Sequence, residues 1–186
     1  MKHAVLSLLV LVSLNLPHYS HVRVAQEAVH PGTPVVVTQL GPKRSGLRWS
    51  YADHSCISDS MRVVIRDNDA WKNIWKKMYV GKFCRANEVP PVPEIDFTRE
   101  MIVLAALGER PTSGYGIVVD KAYEQATKLE IVVRSISPRC GGHSQVLTEP
   151  IDIVRVTKTD RSVVFREIQA VTECKPDGSM IIRDIS

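Results

Sequence analysis

The sequence lacks the short motifs that mark enzymatic chemistry. No Gly-x-Ser-x-Gly elbow, glycine-rich phosphate loop or His-Glu-x-x-His pair occurs in its 186 residues, which leaves activated-serine, nucleotide and helical zinc chemistry without an anchor. A basic stripe interleaved with aromatics is also missing. Lysines and arginines are mixed with acids, as in Arg62-Val-Val-Ile-Arg66-Asp67-Asn68-Asp69, so the electrostatic footprint of a nucleic-acid partner is absent. There is no internal repeat and no low-complexity block. Cysteine is sparse, with four residues at wide, irregular spacing: Cys56, Cys84, Cys140 and Cys174. The nearest approach to a metal-ligand pair, Cys140-Gly-Gly-His143, has no second pair at matching spacing. No metal and no cofactor are therefore expected. His54, His143 and the scattered serines have no spacing that groups them. Asp96, Glu100 and Glu109 read as solvated acids at strand ends. No catalytic residue is assigned.

What is present first is an export signal. Lys2 precedes the apolar run from Ala4 to Leu14, and Pro17 stops any helix. That run is short for a membrane span and has the length of a signal-peptide core. Residues 1–25 read as a signal peptide with Ser20, Ala25 and Ala28 as cleavage candidates. No cysteine follows the run before Cys56, so a lipid anchor is not supported. The mature chain is expected to be periplasmic or extracellular, without a membrane anchor. The formal charge of +4 falls by two when Lys2 and Arg23 are removed. An even cysteine count in an exported chain suggests two disulfides, of three possible connectivities. We expect Cys56–Cys84 around a helix and Cys140–Cys174 between two late β segments.

Residues 26–58 form a lead-in bearing proline and glycine, and its run Pro34 to Thr38 reads as either an edge strand or a tether. Met61 to Arg66 reads as a strand, and Asp67-Asn68-Asp69 offers helix N-caps. Trp71, Ile74, Trp75 and Met78 then fall at i, i+3, i+4 and i+7, one apolar helical face set against a sheet. Lys72, Lys76 and Lys77 lie opposite or toward the end, and Gly81 is a natural stop. Val89-Pro-Pro-Val-Pro93 is a rigid connector. Met101 to Leu107 is apolar without interruption, the signature of a strand buried on both faces. Ala105 and Ala106 leave room there for a large neighbour such as the tryptophan helix. Strands follow at 115–122 and 128–135, the second alternating Leu129, Ile131 and Val133 with Lys128, Glu130 and Arg134, one face dry and one wet. The β pattern continues through 145–147, 151–156 and 162–171. Lys175-Pro-Asp-Gly178 is a turn before Met180 to Arg183. The expected fold is α+β and mostly β: one small antiparallel sandwich or sheet with a single amphipathic helix packed on it.

Four segments in order, 63–75, 95–117, 129–142 and 150–167, resemble the C-terminal domain family of the protease-complex subunit PrcB. They carry an Arg-Asp step before a tryptophan helix, Asp96-Phe97 before a buried strand, and the turn Gly108-Glu-Arg-Pro-Thr-Ser-Gly-Tyr115. A Ser-Pro-plus-Cys loop follows, then a Pro150…Lys158…Phe165 close. Ser113 stands where the family often has glycine, and Ile151 where an aromatic is common; the first asks a non-glycine residue to enter a tight turn. The resemblance implies a β-rich exported domain spanning 59–186 and points to a protease partner.

The turn is the candidate binding element, with Arg110, Pro111, Thr112, Ser113, Gly114 and Tyr115 as its residues, because loops on a rigid β scaffold commonly carry binding. In one reading the chain is a non-enzymatic binding or assembly module, an accessory subunit of a secreted protease or other envelope protein. In a second, Pro111 to Tyr115 is similar to the Pro-Thr-Thr-Gly-Tyr loop of chagasin-type inhibitors, although Arg110 replaces the leading Asn. In a third the domain has no protease partner. Architecturally, Gly114 turns the chain and Tyr115 caps the core.

Overall fold

The computed structural model describes residues 32–40, 55–80 and 89–185. In chain order these form β1 (Thr33–Val35), β2 (Thr38–Gln39), β3 (Met61–Ile65), α1 (Asn68–Tyr79) and β4 (Glu100–Ala106). Then come β5 (Gly116–Glu124), β6 (Lys128–Ser137), β7 (Ile151–Thr157), β8 (Ser162–Cys174) and β9 (Met180–Asp184). One sheet runs β1-β5-β6-β8-β9 and the other β2-β7-β4-β3. The fold is α+β and mostly β, as expected. The signal-peptide segment, Gly81 and Cys84 lie outside the described residues.

The uninterrupted apolar run is explained by β4. Its Met101, Val103 and Ala105 face the other sheet, packing with Ile117, Val119, Ile131 and Val133. Ile102, Leu104 and Ala106 point the opposite way, under α1 with Trp71, Trp75 and Met78. A strand covered on both sides has no polar face to show. Of the two alanines, only Ala106 meets the tryptophan helix; Ala105 lies inside the sandwich.

Asp67 caps α1, its carboxylate accepting the Ala70 N–H at 2.8 Å. Trp71, Trp75 and Met78 are buried, and Ile74 packs against the same core. Each tryptophan buries its ring at roughly 4 kcal/mol of transfer free energy and still satisfies its indole N–H. Trp71 Nε1 donates to Pro93 O and Trp75 Nε1 to Pro90 O, both at 2.9 Å. The rigid proline connector thus serves as an acceptor rail for the helix. Cys56 is disulfide-bonded, and its N–H donates to Met78 O at 2.9 Å.

Pairing and burial in the two sheets differ from the sequence expectations in several features. The run from Pro34 is split: β1 pairs with β5 and β2 with β7, so this segment supplies an edge strand to each sheet. The β6–β8 pair is parallel, whereas every other pair is antiparallel. After β6 the chain crosses to the other sheet as β7 and re-enters beside β6 from the same end, which forces that direction. Glu130 is buried rather than wet. Because β6 is the central strand of its sheet, long neighbours cover even its outer face. Arg166 Nε and Gln125 Nε2 donate to the Glu130 carboxylate at 2.8 and 3.2 Å.

Candidate interaction site

The turn after β4 begins where the chain has no room for a side chain. Gly108 takes φ 78°, and a Cβ there would lie 2.8 Å from Ser58 O and Ser60 N, both backbone. Arg110 then pairs with Thr148: Arg110 N–H donates to Thr148 O at 2.7 Å, and Thr148 N–H to Arg110 O at 3.0 Å. The buried Thr148 hydroxyl donates to Thr112 O at 3.1 Å. Ser113 N–H donates to Ser144 O at 3.0 Å, and Ser144 N–H returns to Ser113 Oγ at 2.9 Å.

Gly114 holds the tight conformation, at φ 102°. The His143 ring lies directly on it, so that a Cβ would come 2.3 Å from Nδ1. Among the described residues only glycines have positive φ, so Ser113 enters the turn without strain and uses its side chain as an acceptor. His143 Nε2 is 2.8 Å from Cys140 O. Cys140 is bonded to Cys174 as expected, with Cα atoms 5.7 Å apart, and that bond ties the bracing loop to the end of β8. Residues 145–147 are not a strand. They have no ladder partner before the Thr148 bridge, and Val146 and Leu147 are exposed.

The predicted binding residues are thus brought together, though not as a free loop. Pro111 is exposed, while Arg110, Thr112, Ser113, Gly114 and Tyr115 are half-buried. Tyr115 packs on the sandwich core. The Arg110 guanidinium stands 5.9 Å over its ring, within cation–π range.

Beneath this pair the two sheets splay around a polar cleft of about 220 Å³. Ser60, Arg62, Leu107 and Arg110 line one side; Tyr115, Ser135, Ile136, Ser137, Glu167 and Gln169 line the other. Arg62 on β3 spans the gap to Glu167 on β8, with Nε and Nη2 donating to the two carboxylate oxygens at 2.8 and 2.9 Å. No spacing rule could have found this cleft, because its walls come from segments more than a hundred residues apart.

A second polar group sits deeper. Asp152 is 3% exposed, between the sheets on β7. Its carboxylate accepts the Val119 N–H at 2.7 Å, the Ile153 N–H at 3.1 Å and Gln39 Nε2 at 3.3 Å. The register of β5 shifts between Val119 and Lys121, and that irregularity turns the Val119 N–H toward the opposite sheet. One signal for Asp152 exists in the sequence: it is a carboxylate in phase with the inward Val154 and Val156. On the outer surface Arg134 bonds Asp120 and Asp184. Burial pulls its pKa down, but the Asp184 hydrogen bond and the charges of both aspartates outweigh this and hold it above its ordinary value.

Among the described residues no cluster of three or more His, Cys, Asp or Glu could hold a metal ion, and no helix is long and apolar enough to cross a membrane. His54 lies outside the described residues. His143 is engaged with a backbone carbonyl, and Asp152 with backbone N–H groups.

No curated protein and no solved structure matches the chain. Residues 101–157, from the buried β4 through the braced turn to the end of β7, match the family model described as PrcB C-terminal.

Proposed function

We propose that the chain is an exported, non-enzymatic binding module that assembles with an extracytoplasmic protease as an accessory subunit. The observation that carries this reading is the braced turn. Its backbone groups are spent on Ser144 and Thr148, while the Arg110 guanidinium is held over Tyr115 at the mouth of a polar cleft. Pre-organised side chains on a rigid scaffold favour binding because little entropy is lost on contact. The family match over 101–157 supports the assembly role, and the disulfide fits an oxidising compartment. The inhibitor alternative is weaker, since Thr112 to Tyr115 are half-buried and only Pro111 of the similar stretch projects.

The test is affinity capture from the native envelope fraction with the mature chain as bait. Recovery of a serine protease, reduced by Arg110→Gln, is the expected result. Recovery of no protease would remove the assembly reading. Nanomolar loss of papain-type activity would instead favour the inhibitor.

A further inference from the structure

The cleft under Arg110 has an excess of donors. Its lining carries two guanidiniums and one carboxylate, and Arg62 is already committed to Glu167 through two hydrogen bonds. Arg110 is left as the surplus cation, for its side chain makes one hydrogen bond, from Nη1 to Glu109 O at 2.8 Å. Among the described residues no carboxylate pairs with it, and the hydroxyls of Tyr115, Ser135 and Ser137 take no hydrogen-bond partner. Ser135 is 7% exposed and lines the cleft. A guanidinium stacked on an aromatic ring has its orientation set before a ligand arrives, and its remaining N–H groups suit the two oxygens of a planar anion.

We propose that this cleft is a carboxylate-recognition site, in which Arg110 binds a carboxylate of a partner polypeptide and the Tyr115, Ser135 and Ser137 hydroxyls complete its hydrogen bonds. One uncompensated positive charge suits a monoanion rather than a phosphate dianion, and the Glu167 carboxylate on the facing wall repels a second negative charge. The proposal rests on the reading of the chain as a binding module and gives that module its ligand chemistry. The carboxylate could be a chain terminus or an acidic side chain, and the test separates these.

The full mature chain, disulfides oxidised and labelled with nitrogen-15, is titrated with three pentapeptides. They are Gly-Ala-Ala-Ala-Ala as the free acid, the same peptide amidated, and amidated Gly-Ala-Glu-Ala-Ala. The expected result is a shift of the Arg110 Nε–H and of the Ser135 and Ser137 amides with the free acid, and none with the neutral amide. A response to the glutamate amide as well supports the site and identifies side chains as a source. Arg110→Gln should weaken the interaction about tenfold, Arg110→Lys less, and the distant Arg183→Gln not at all. Equal responses to all three peptides, no response at millimolar peptide, unchanged binding by Arg110→Gln, or equal competition by inorganic phosphate would each overturn the proposal. Capture of a protease despite such a failure would leave the assembly reading standing and remove only the cleft from it.

Discussion

Arg62 and Glu167 join the two sheets across the splayed end of the sandwich by a two-pronged ion pair at 2.8 and 2.9 Å. The side chains are 17% and 39% exposed, so solvent screens part of the attraction. A coupling of about 1 kcal/mol is expected from a double-mutant cycle in urea, shrinking in molar salt. Arg62→Met should cost more than Glu167→Gln, because Arg62 Nη1 also donates to Ala106 O at 2.7 Å. Equal single-mutant losses would contradict that division.

Gly114→Ala should lower stability by at least about 2 kcal/mol, combining a positive φ with contact against His143. His143→Ala in the Gly114→Ala background should recover the steric part and leave the backbone part. Melting temperatures of the two singles and the double mutant separate these contributions.

Asp152→Ala should cost about 3 kcal/mol, since it strands the buried Val119 N–H. Asp152→Asn retains an acceptor oxygen and should cost about half as much. Urea midpoints measure both, and similar losses would show that charge rather than hydrogen bonding matters at this position.

Reducing Cys140–Cys174 releases a closure of 34 residues, which should cost about 3 to 4 kcal/mol on the chain-entropy account. Amide exchange at Ser113 and Ser144 should accelerate first, because the bond anchors the loop that braces the turn. Exchange that accelerates uniformly would mean that the bond stabilises the domain without acting on the turn in particular.

Two surface turns each add a pH-dependent contribution to stability. The Thr98 hydroxyl and then the Thr98 N–H hold Asp96 below its ordinary pKa of 3.8. The Ser179 hydroxyl and N–H do the same for Asp177. A lowered folded pKa gives stability that is fully present above the unfolded value and lost as pH falls through the folded one. Both contributions should therefore be constant above about pH 5 and fade below 3.8. Unfolding midpoints of Asp96→Asn and Asp177→Asn should converge on wild type as the pH drops, and a constant gap would refute the assignment.

Much of the fold can be read from local pattern. Period and burial are short-range properties, so the run Met101 to Leu107 already describes a strand covered on both faces. Trp71, Ile74, Trp75 and Met78 likewise describe a helix lying on a sheet. Asp67 as N-cap and Lys175 to Gly178 as a turn need only neighbouring backbone groups, and both are observed. The PrcB C-terminal resemblance belongs with these, since it rests on ordered local segments.

Long-range pairing followed other rules. Glu130 alternates like a solvated residue, yet it is buried because β6 became the centre of its sheet. Residues 145–147 have strand composition but no partner, and without a partner a strand's backbone groups turn to water. Arg62 meets Glu167 across 105 residues, and His143 reaches Gly114 only because the Cys140–Cys174 bond and the Ser113–Ser144 hydrogen bonds draw two loops together. Residue pattern determined that β4 buries both faces and which face α1 turns to the sheet, because that depends on the side chain and its period. The path of the chain between sheets decided which polar groups meet at the cleft, because their proximity exists only after the core has closed.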